Sequence, residues 1–203
     1  MKKPEIFPVL LAAGSSKGLG FPKPLARFGE QTALEIAVAN CVGLATPVVV
    51  LGSDAAVVRC GVPRGACVVI NRRWRSGQLS SLQAGLRKVP RDAAFLIYPV
   101  DLPLLTRSIV FRLVRVFEQR PKGKTIVMPV FRSHPGHPVI CAAEIRHEMK
   151  RGRTAREVVY QDRERVCYVL VRASAVCQDF ANPTSYLDCL KRFRAQKAFR
   201  ESV

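Results

Sequence analysis

The stretch LLAAGSSKGLGFPKPL, residues 10–25, decides how the rest of the chain is interpreted. An apolar run ends at small residues, and three glycines, two serines and two lysines follow within a few positions. Glycines let backbone N–H groups approach a phosphate closely, and the lysines add positive charge. The stretch therefore predicts a buried strand that ends in a loop around a polyphosphate group. A glycine-rich surface loop without a ligand is the alternative.

Apolar strands and amphipathic helices alternate along the rest of the chain. The predicted strands span residues 6–12, 47–51, 66–70, 93–100, 126–130, 138–142 and 167–171. The predicted helices span residues 32–44, 78–89, 106–118, 143–150, 154–160 and 183–199. Several strands are apolar throughout, which is typical of strands covered on both faces. We therefore expect one Rossmann-like, three-layer α/β/α domain over residues 1–203, with a mostly parallel sheet.

The glycine-rich loop matches neither of the two common phosphate-loop motifs. Gly14, Gly18 and Gly20 do not have the GxGxxG spacing, and the sole GKT sequence, at 123–125, precedes a predicted strand rather than a helix. The loop nevertheless follows the carboxyl end of the first strand, where open α/β sheets bind ligands. It also runs for about 20 residues before the next helix, and loops of that length are usually functional.

The composition excludes some classes of protein. The chain carries 33 Lys and Arg against 15 Asp and Glu, a formal net charge of +18, which favours anionic partners. No apolar run reaches about 18 residues, so no membrane span is expected. The basic start with Lys2 and Lys3 resembles a signal peptide, but Glu5 and two prolines interrupt it, and we expect no cleaved signal. Seven cysteines without zinc spacing predict buried, reduced thiols in a cytoplasmic protein.

Four motifs, in order, resemble those of the MobA-like NTP transferase family. LAAGSSKGLGFPKPL is similar to the opening motif of that family, and NRRWRSGQLSSLQAGL (71–86) and YPVDLPLL (98–105) are similar to two later ones. PGHPVI (135–140) resembles the GHP motif of the molybdenum cofactor cytidylyltransferase branch. The resemblance covers nearly the whole chain. It implies the fold of the nucleotide-diphospho-sugar transferases, in agreement with the order of predicted elements.

The resemblance also implies an activity. It is the transfer of CMP from CTP to a phosphorylated acceptor, molybdopterin, with Mg²⁺ as cofactor and pyrophosphate as the leaving group. Ala13 favours CTP over GTP, because the LAAG opening resembles that of the cytidylyl enzymes. A molybdoenzyme-maturation partner is then a further expectation. Two alternatives stay open: another phosphate acceptor such as a sugar phosphate, or a catalytically impaired homologue that binds nucleotides or nucleic acid.

Site residues follow from the same resemblance. Lys17, Lys23 and Asp101 are the candidate catalytic residues, and Asp101 and Asp179 are the candidate metal ligands. Gly136, His137 and Pro138 are the candidates for binding the acceptor. Besides Lys23 and Asp101, the candidates for binding the nucleotide are Leu11, Ala12, Ala13, Gly14, Ser15, Ser16, Gly18, Gly20, Gly77, Ser80 and Ser81.

The chain departs from the family pattern at two places. The family's arginine in the first motif falls at Gly18, with Lys17 beside it, and lysine does not replace the planar fork of arginine. Near the C-terminus, DFANPTSY (179–186) lacks most of the acidic residues of the corresponding family segment. The predicted last helix is strongly basic, with Lys191, Arg192, Arg194, Lys197 and Arg200. Aromatic residues make up only 7% of the chain, so nucleic acid is an unlikely partner.

Overall fold

One mixed eight-stranded sheet organises the computed structural model, which describes residues 5–201. Lys2 and Lys3 of the signal-like start lie outside the described residues, as does the side chain of Arg200. The strands are β1 Ile6–Ala12, β2 Arg27–Phe28, β3 Gln31–Thr32, β4 Val48–Leu51, β5 Cys67–Ile70, β6 Ala94–Pro99, β7 Ile126–Phe131, β8 His134–Pro135, β9 Val139–Cys141 and β10 Val166–Leu170.

The main sheet has the order β5-β4-β1-β6-β9-β7-β10, with β8 paired to β7. Pairings among β5, β4, β1 and β6 are parallel, and so is that of β7 with β10. Strand β9 lies antiparallel between β6 and β7. The prediction of a mostly parallel sheet is confirmed. Strands β2 and β3 form a separate small hairpin in the long connection after β1.

Helices cover both faces of the sheet. They are α1 Ala33–Asn40, α2 Ala55–Val58, α3 Gln78–Leu86, α4 Arg107–Gln119, α5 Ile145–Arg151, α6 Ala155–Tyr160 and α7 Pro183–Glu201. Within β1, Leu10 belongs to the apolar cluster that includes residues of α1 and α4, and Val9 belongs to the cluster that includes residues of α3 and α5. Both residues are fully buried. A strand buried on both faces explains the unbroken apolar run from which the fold was predicted.

Local signals in the sequence set several helix starts. Helix α1 begins with a capping box, in which Thr32 accepts from the backbone N–H of Glu35 and the Glu35 carboxylate accepts from that of Thr32. It ends at Asn40, four residues before its predicted end, because Gly43 takes a φ of 96° in the turn that follows. Helix α2, β8 and the β2–β3 hairpin are too short to leave a periodic pattern in the sequence, and none of them was predicted.

The cysteines and the helices test two expectations from composition. All seven cysteines are free thiols, as expected, but Cys41, Cys141 and Cys189 alone are buried, and Cys60 and Cys177 are exposed. The expectation that the thiols are generally buried is therefore wrong. Within residues 5–201, no helix has the length and apolar character needed to cross a membrane.

Candidate functional site

A cavity of about 310 Å³ opens at the carboxyl ends of β1 and β6. Its wall combines the loop after β1, the start of α3 and the segment after β6. Its lining residues are Leu11, Ala12, Ala13, Gly14, Ser15, Lys23, Pro24, Trp74, Arg75, Gly77, Gln78, Ser81, Pro99, Val100 and Asp101. Nine of the sequence-predicted site residues are among them, and we call this the first cavity. Trp74 and Gln78, which sequence reasoning did not select, also line it.

The loop after β1 is held by residues that follow β4. The Asp54 carboxylate accepts hydrogen bonds from the hydroxyls of Ser16 at 3.1 Å and Ser53 at 2.8 Å. Ser53 Oγ also lies 2.9 Å from the carbonyl oxygen of Gly14, and Ser16 Oγ accepts from the backbone N–H of Lys23 at 2.8 Å. Asp54 thus connects the start of the loop to the backbone that carries Lys23. Sequence analysis missed Asp54, because no local motif relates it to a loop about 40 positions earlier.

A tight turn directs the tip of the same loop into solvent. The backbone N–H of Leu19 donates to the carbonyl of Ser16 at 3.1 Å, and Gly18 has a φ of 90°, the geometry of a type II turn with glycine at its third position. Lys17 is exposed at this tip. Four candidate residues, Lys17, Gly18, Gly20 and Ser16, therefore do not line the first cavity. An arginine at position 18 would have to adopt this left-handed backbone, which side chains other than glycine rarely do.

The start of α3 is the second wall of the first cavity. Asn71, buried at the end of β5, donates from Nδ2 to the hydroxyls of Ser80 at 2.9 Å and Ser81 at 3.0 Å. Ser81 lines the first cavity, but Ser80 is directed to the carbonyls of Arg73 and Gly77. Ser80 therefore lines a neighbouring cavity and not the first one, and its contact with the nucleotide stays a prediction.

Asp101 and Lys23 face each other across the first cavity. Lys23 Nζ lies 3.9 Å from Asp101 Oδ2, and the Asp101 side chain retains 25% exposure. Burial raises the pKa of Asp101, the charge of Lys23 lowers it, and the negative charge of Asp179 raises it further. A backbone hydrogen bond holds the segments that carry these two residues together, since Phe180 N–H donates to the Asp101 carbonyl at 3.2 Å. The structure thus brings together two candidates that are 78 positions apart in the sequence.

The two carboxylates fit a divalent cation that also binds substrate phosphates. Among the described residues, no group of three or more His, Cys, Asp or Glu side chains could hold a metal ion alone. Mg²⁺ commonly uses one or two carboxylates and completes its shell with phosphates and water. A cation beside Asp101 and Asp179 would also offset the repulsion that raises the pKa of Asp101.

A second cavity of about 380 Å³ adjoins the first. Gln78, Pro99 and Asp101 line both. The other lining residues of the second cavity are Leu102, His134, Pro135, Gly136, His137, Val176, Cys177 and Asp179. The candidates Gly136 and His137 therefore lie where a second substrate could meet the first. Pro138 is buried behind them and does not line the second cavity.

Close backbone contacts fix the segment that carries His137. Gly136 N–H donates to the Pro129 carbonyl and His137 N–H to the Val176 carbonyl, both at 2.8 Å. A Cβ added to Gly136 would lie 2.3 Å from the Val176 oxygen, so only glycine fits there.

The imidazole of His137 is neutral near pH 7. Burial lowers its pKa from 6.5 to about 4, partly offset by a backbone hydrogen bond at Ile97 and the charge of Asp179. Its Nδ1 is buried without a hydrogen-bond partner among the described residues. That nitrogen therefore has a hydrogen-bonding capacity that a ligand could satisfy only if the ring turned toward the second cavity.

Two adjoining cavities lie at the carboxyl edge of a Rossmann-like sheet, where α/β proteins bind their ligands, and Asp101 lines both of them. The model of the MobA-like NTP transferase domain matches residues 8–166. The chain therefore belongs to the MobA-like NTP transferase family, a family of nucleotidyltransferases. The predicted family and fold are confirmed. No curated protein matches the chain in sequence.

Solved structures of similar fold include three different proteins. Rv0371c from Mycobacterium tuberculosis H37Rv is 25% identical, with a TM-score of 0.79 over 94% of this chain and 100% of that one. A further structure of Rv0371c is a complex with manganese, at 24% identity and a TM-score of 0.75 over the same shares of both chains. Molybdopterin-guanine dinucleotide biosynthesis protein A from Archaeoglobus fulgidus is 16% identical, with a TM-score of 0.66 over 95% of this chain and 98% of that one.

The third is 4-diphosphocytidyl-2C-methyl-D-erythritol synthase from Anaerococcus prevotii. It is 12% identical, with a TM-score of 0.73 over 94% of this chain and 96% of that one. These last two likenesses show the fold alone. The resemblance to the cytidylyltransferase branch in particular stays a prediction.

Proposed function

We propose that the protein is a nucleotidyltransferase that transfers CMP from CTP to a phosphorylated acceptor, molybdopterin, with release of pyrophosphate. The observation that carries the proposal is the junction of the two cavities at Asp101, Gln78 and Pro99. A nucleotide in the first cavity and an acceptor in the second would meet beside the only ion pair that joins the phosphate loop to the end of β6 in the described residues.

The proposed nucleotide site uses small residues and one lysine. Residues 11–15 would present backbone groups to the base and phosphates, Gly77 and Ser81 would contact the nucleoside, and Lys23 would neutralise phosphate charge. Lys17, on the exposed turn, would act at most by attracting the triphosphate from solvent. Because the loop is already held by Asp54, little of the binding energy would be spent on ordering it.

The proposed reaction is a substitution at the α-phosphorus of CTP. A phosphate oxygen of the acceptor forms a bond to that phosphorus while the bond to the oxygen bridging the α- and β-phosphates breaks, and pyrophosphate leaves with that electron pair. Such a reaction requires positioning and charge neutralisation more than covalent chemistry by the protein. Asp101 and Asp179 would hold Mg²⁺, which when bound neutralises phosphate charge. Lys23 would neutralise further charge, and the walls of the two cavities would orient the reactants.

Gly136, His137 and Pro138 are proposed to form the acceptor site. Neutral imidazole would offer Nδ1 to a polar group of the acceptor if the ring turned toward the second cavity, and burial keeps it neutral at physiological pH. The identity of the acceptor as a pterin phosphate rests on the GHP resemblance, as does a molybdoenzyme-maturation partner. The free thiols support a cytoplasmic location.

A second candidate keeps the transfer reaction but changes the acceptor to a sugar phosphate or another small phosphate. One observation favours it. The second cavity is lined by two histidines, but no Phe, Tyr or Trp that would stack on a pterin ring lines it in the described part of the chain.

Pyrophosphate release tests the proposal directly. The purified protein is incubated with Mg²⁺, with CTP or GTP, and with molybdopterin or a panel of sugar phosphates. We expect release with CTP and molybdopterin, and loss of release in Asp101→Asn. Turnover that falls less than tenfold in Asp101→Asn would remove Asp101 from the reaction. Turnover with a sugar phosphate and none with molybdopterin would establish the second candidate.

A further inference from the structure

A third, cationic cavity lies at the C-terminal end of α3. It measures about 440 Å³ and shares no lining residue with the first or the second cavity. Arg87, Arg91, Arg146 and Lys150 line it together with Gln83 and two apolar residues, and no carboxylate is among its lining residues. The proposed transfer reaction gives these charges no role.

Arg146 forms the buried floor of this third cavity. It is 6% exposed, and its two terminal nitrogens donate to the carbonyls of Leu86, Val89 and Pro90 at 2.7–3.1 Å. Its Nε is buried and has no hydrogen-bond partner among the described residues. Burial and the nearby charge of Arg91 both lower the pKa of Arg146. Arginine commonly caps the last carbonyls of a helix in this way, but in the described residues no carboxylate pairs with this guanidinium, so a bound anion would stabilise its charge.

The other cations of this cavity are free to bind an anion. Arg87, Arg91 and Lys150 are exposed, and in the described part of the chain none of them forms an ion pair. Asp92 is the nearby acid that raises the pKa of Arg146, but it lines a different cavity. The helix C-terminus contributes a partial negative charge, which the hydrogen bonds of Arg146 offset. The charges of the three exposed side chains therefore remain uncompensated.

A small adjoining cavity extends the positive surface. It measures about 250 Å³, shares Gln83 and Arg87 with the third cavity, and is also lined by Arg72, Arg73 and Asn71. Six cationic side chains thus border two connected depressions. This number of cationic groups suits an anion with several phosphate groups better than a single sulfate or phosphate.

We propose that the third cavity is a second anion site, which binds a small molecule with two or more linked phosphates. A cavity of this size with a buried guanidinium at its floor fits a compact oligophosphate better than a nucleic-acid strand. Strand binding combines an open groove with aromatic side chains for stacking, and no aromatic residue lines either depression. The site is separate from the proposed nucleotide site and does not depend on it.

Calorimetric titration with inorganic tripolyphosphate tests this site. The titration uses the full chain with Lys23→Ala, in buffer without divalent cations, so that binding in the first cavity is suppressed. We expect the further pair Arg87→Ala and Arg91→Ala to weaken tripolyphosphate binding at least tenfold. The matched control is Arg192→Ala with Arg194→Ala on α7, which removes the same charge from exposed positions and should weaken binding less than threefold.

Two further arms identify the ligand class. Titration with CTP in the same Lys23→Ala background distinguishes a nucleotide from a free oligophosphate as the source of the phosphates. If either tripolyphosphate or CTP binds in a way that depends on Arg87 and Arg91, the proposal is supported. An equal loss in the control pair would overturn it, because the effect would then be one of net charge. Tighter binding of a single-stranded oligonucleotide, with the same dependence on Arg87 and Arg91, would also overturn it. Thermal unfolding of each variant checks that it is folded.

Discussion

Asp54→Ala tests whether the phosphate loop is preorganised by the segment after β4. The substitution removes the acceptor of two hydrogen bonds, from Ser16 at 3.1 Å and from Ser53 at 2.8 Å. A buried hydrogen bond to a charged group contributes about 1.5–3 kcal/mol, and the partial exposure of these two reduces each to about 1 kcal/mol, below that range. The loop would then be ordered only when the nucleotide binds.

The expected consequence is a loss of about 2 kcal/mol in nucleotide binding, or roughly thirtyfold in Kd. Calorimetric titration with CTP and Mg²⁺ measures it. Asp54→Asn keeps an acceptor but not the charge, and should recover part of the affinity. Asp188→Ala, an exposed acid on α7, is the control for the loss of one negative charge. An unchanged Kd in Asp54→Ala, or the same change in the control, would refute the reasoning.

Three other predictions follow from the site geometry. Gly136→Ala should destabilise the fold by about 3 kcal/mol, since the new Cβ would lie 2.3 Å from the Val176 oxygen. Chemical denaturation measures this change, and a loss of stability under about 1 kcal/mol would contradict the prediction. Gly14→Ala, which meets nothing within 4 Å, should keep the wild-type Tm but weaken CTP binding at least tenfold; normal affinity would argue against close approach of the ligand.

The third prediction concerns the effect of His137 on the pH dependence of folding stability. Its pKa is about 4 in the folded protein and ordinarily 6.5, so the unfolded chain binds the extra proton between these values. Folding stability should therefore decrease as the pH falls from 6.5 to 4. His137→Gln should flatten that decrease, and an identical pH profile for the two proteins would contradict it.

Much of the fold could be predicted, because its strands are buried on both faces. Val9 and Leu10 face opposite layers, and such a strand appears in the sequence as an unbroken apolar run. The predicted helix starts at residues 32 and 106 were also correct to within one residue, and in the structure Thr32 and Thr106 are the N-caps of α1 and α4. Helix ends were less predictable, since the end of α1 depends on the turn at Gly43 rather than on a local pattern.

The part of the candidate site that could be predicted consists of motifs that lie at the ends of strands. Residues 11–15 span the end of β1 and the start of the loop after it, and Asp101 follows β6, so both reach the same edge of the sheet. Side-chain direction was not predictable from spacing, which explains why Ser80 and Ser81, adjacent in the sequence, face different cavities. Contacts across long sequence separations were not predictable either, as with Asp54 and the loop that it holds.

The most direct test of the central claim is calorimetric titration of the protein with CTP and GTP, each with and without Mg²⁺, repeated in Asp101→Asn. Asp101 requires its negative charge to hold a cation, and burial together with Asp179 raises its pKa, so the metal-dependent affinity should also decline as the pH falls. We predict that CTP binds more tightly than GTP and that binding requires Mg²⁺. In Asp101→Asn, we predict that CTP binding is lost and that adding Mg²⁺ does not restore it. Equal affinity with and without Mg²⁺, or undiminished affinity in Asp101→Asn, would contradict a metal-dependent nucleotide site at Asp101.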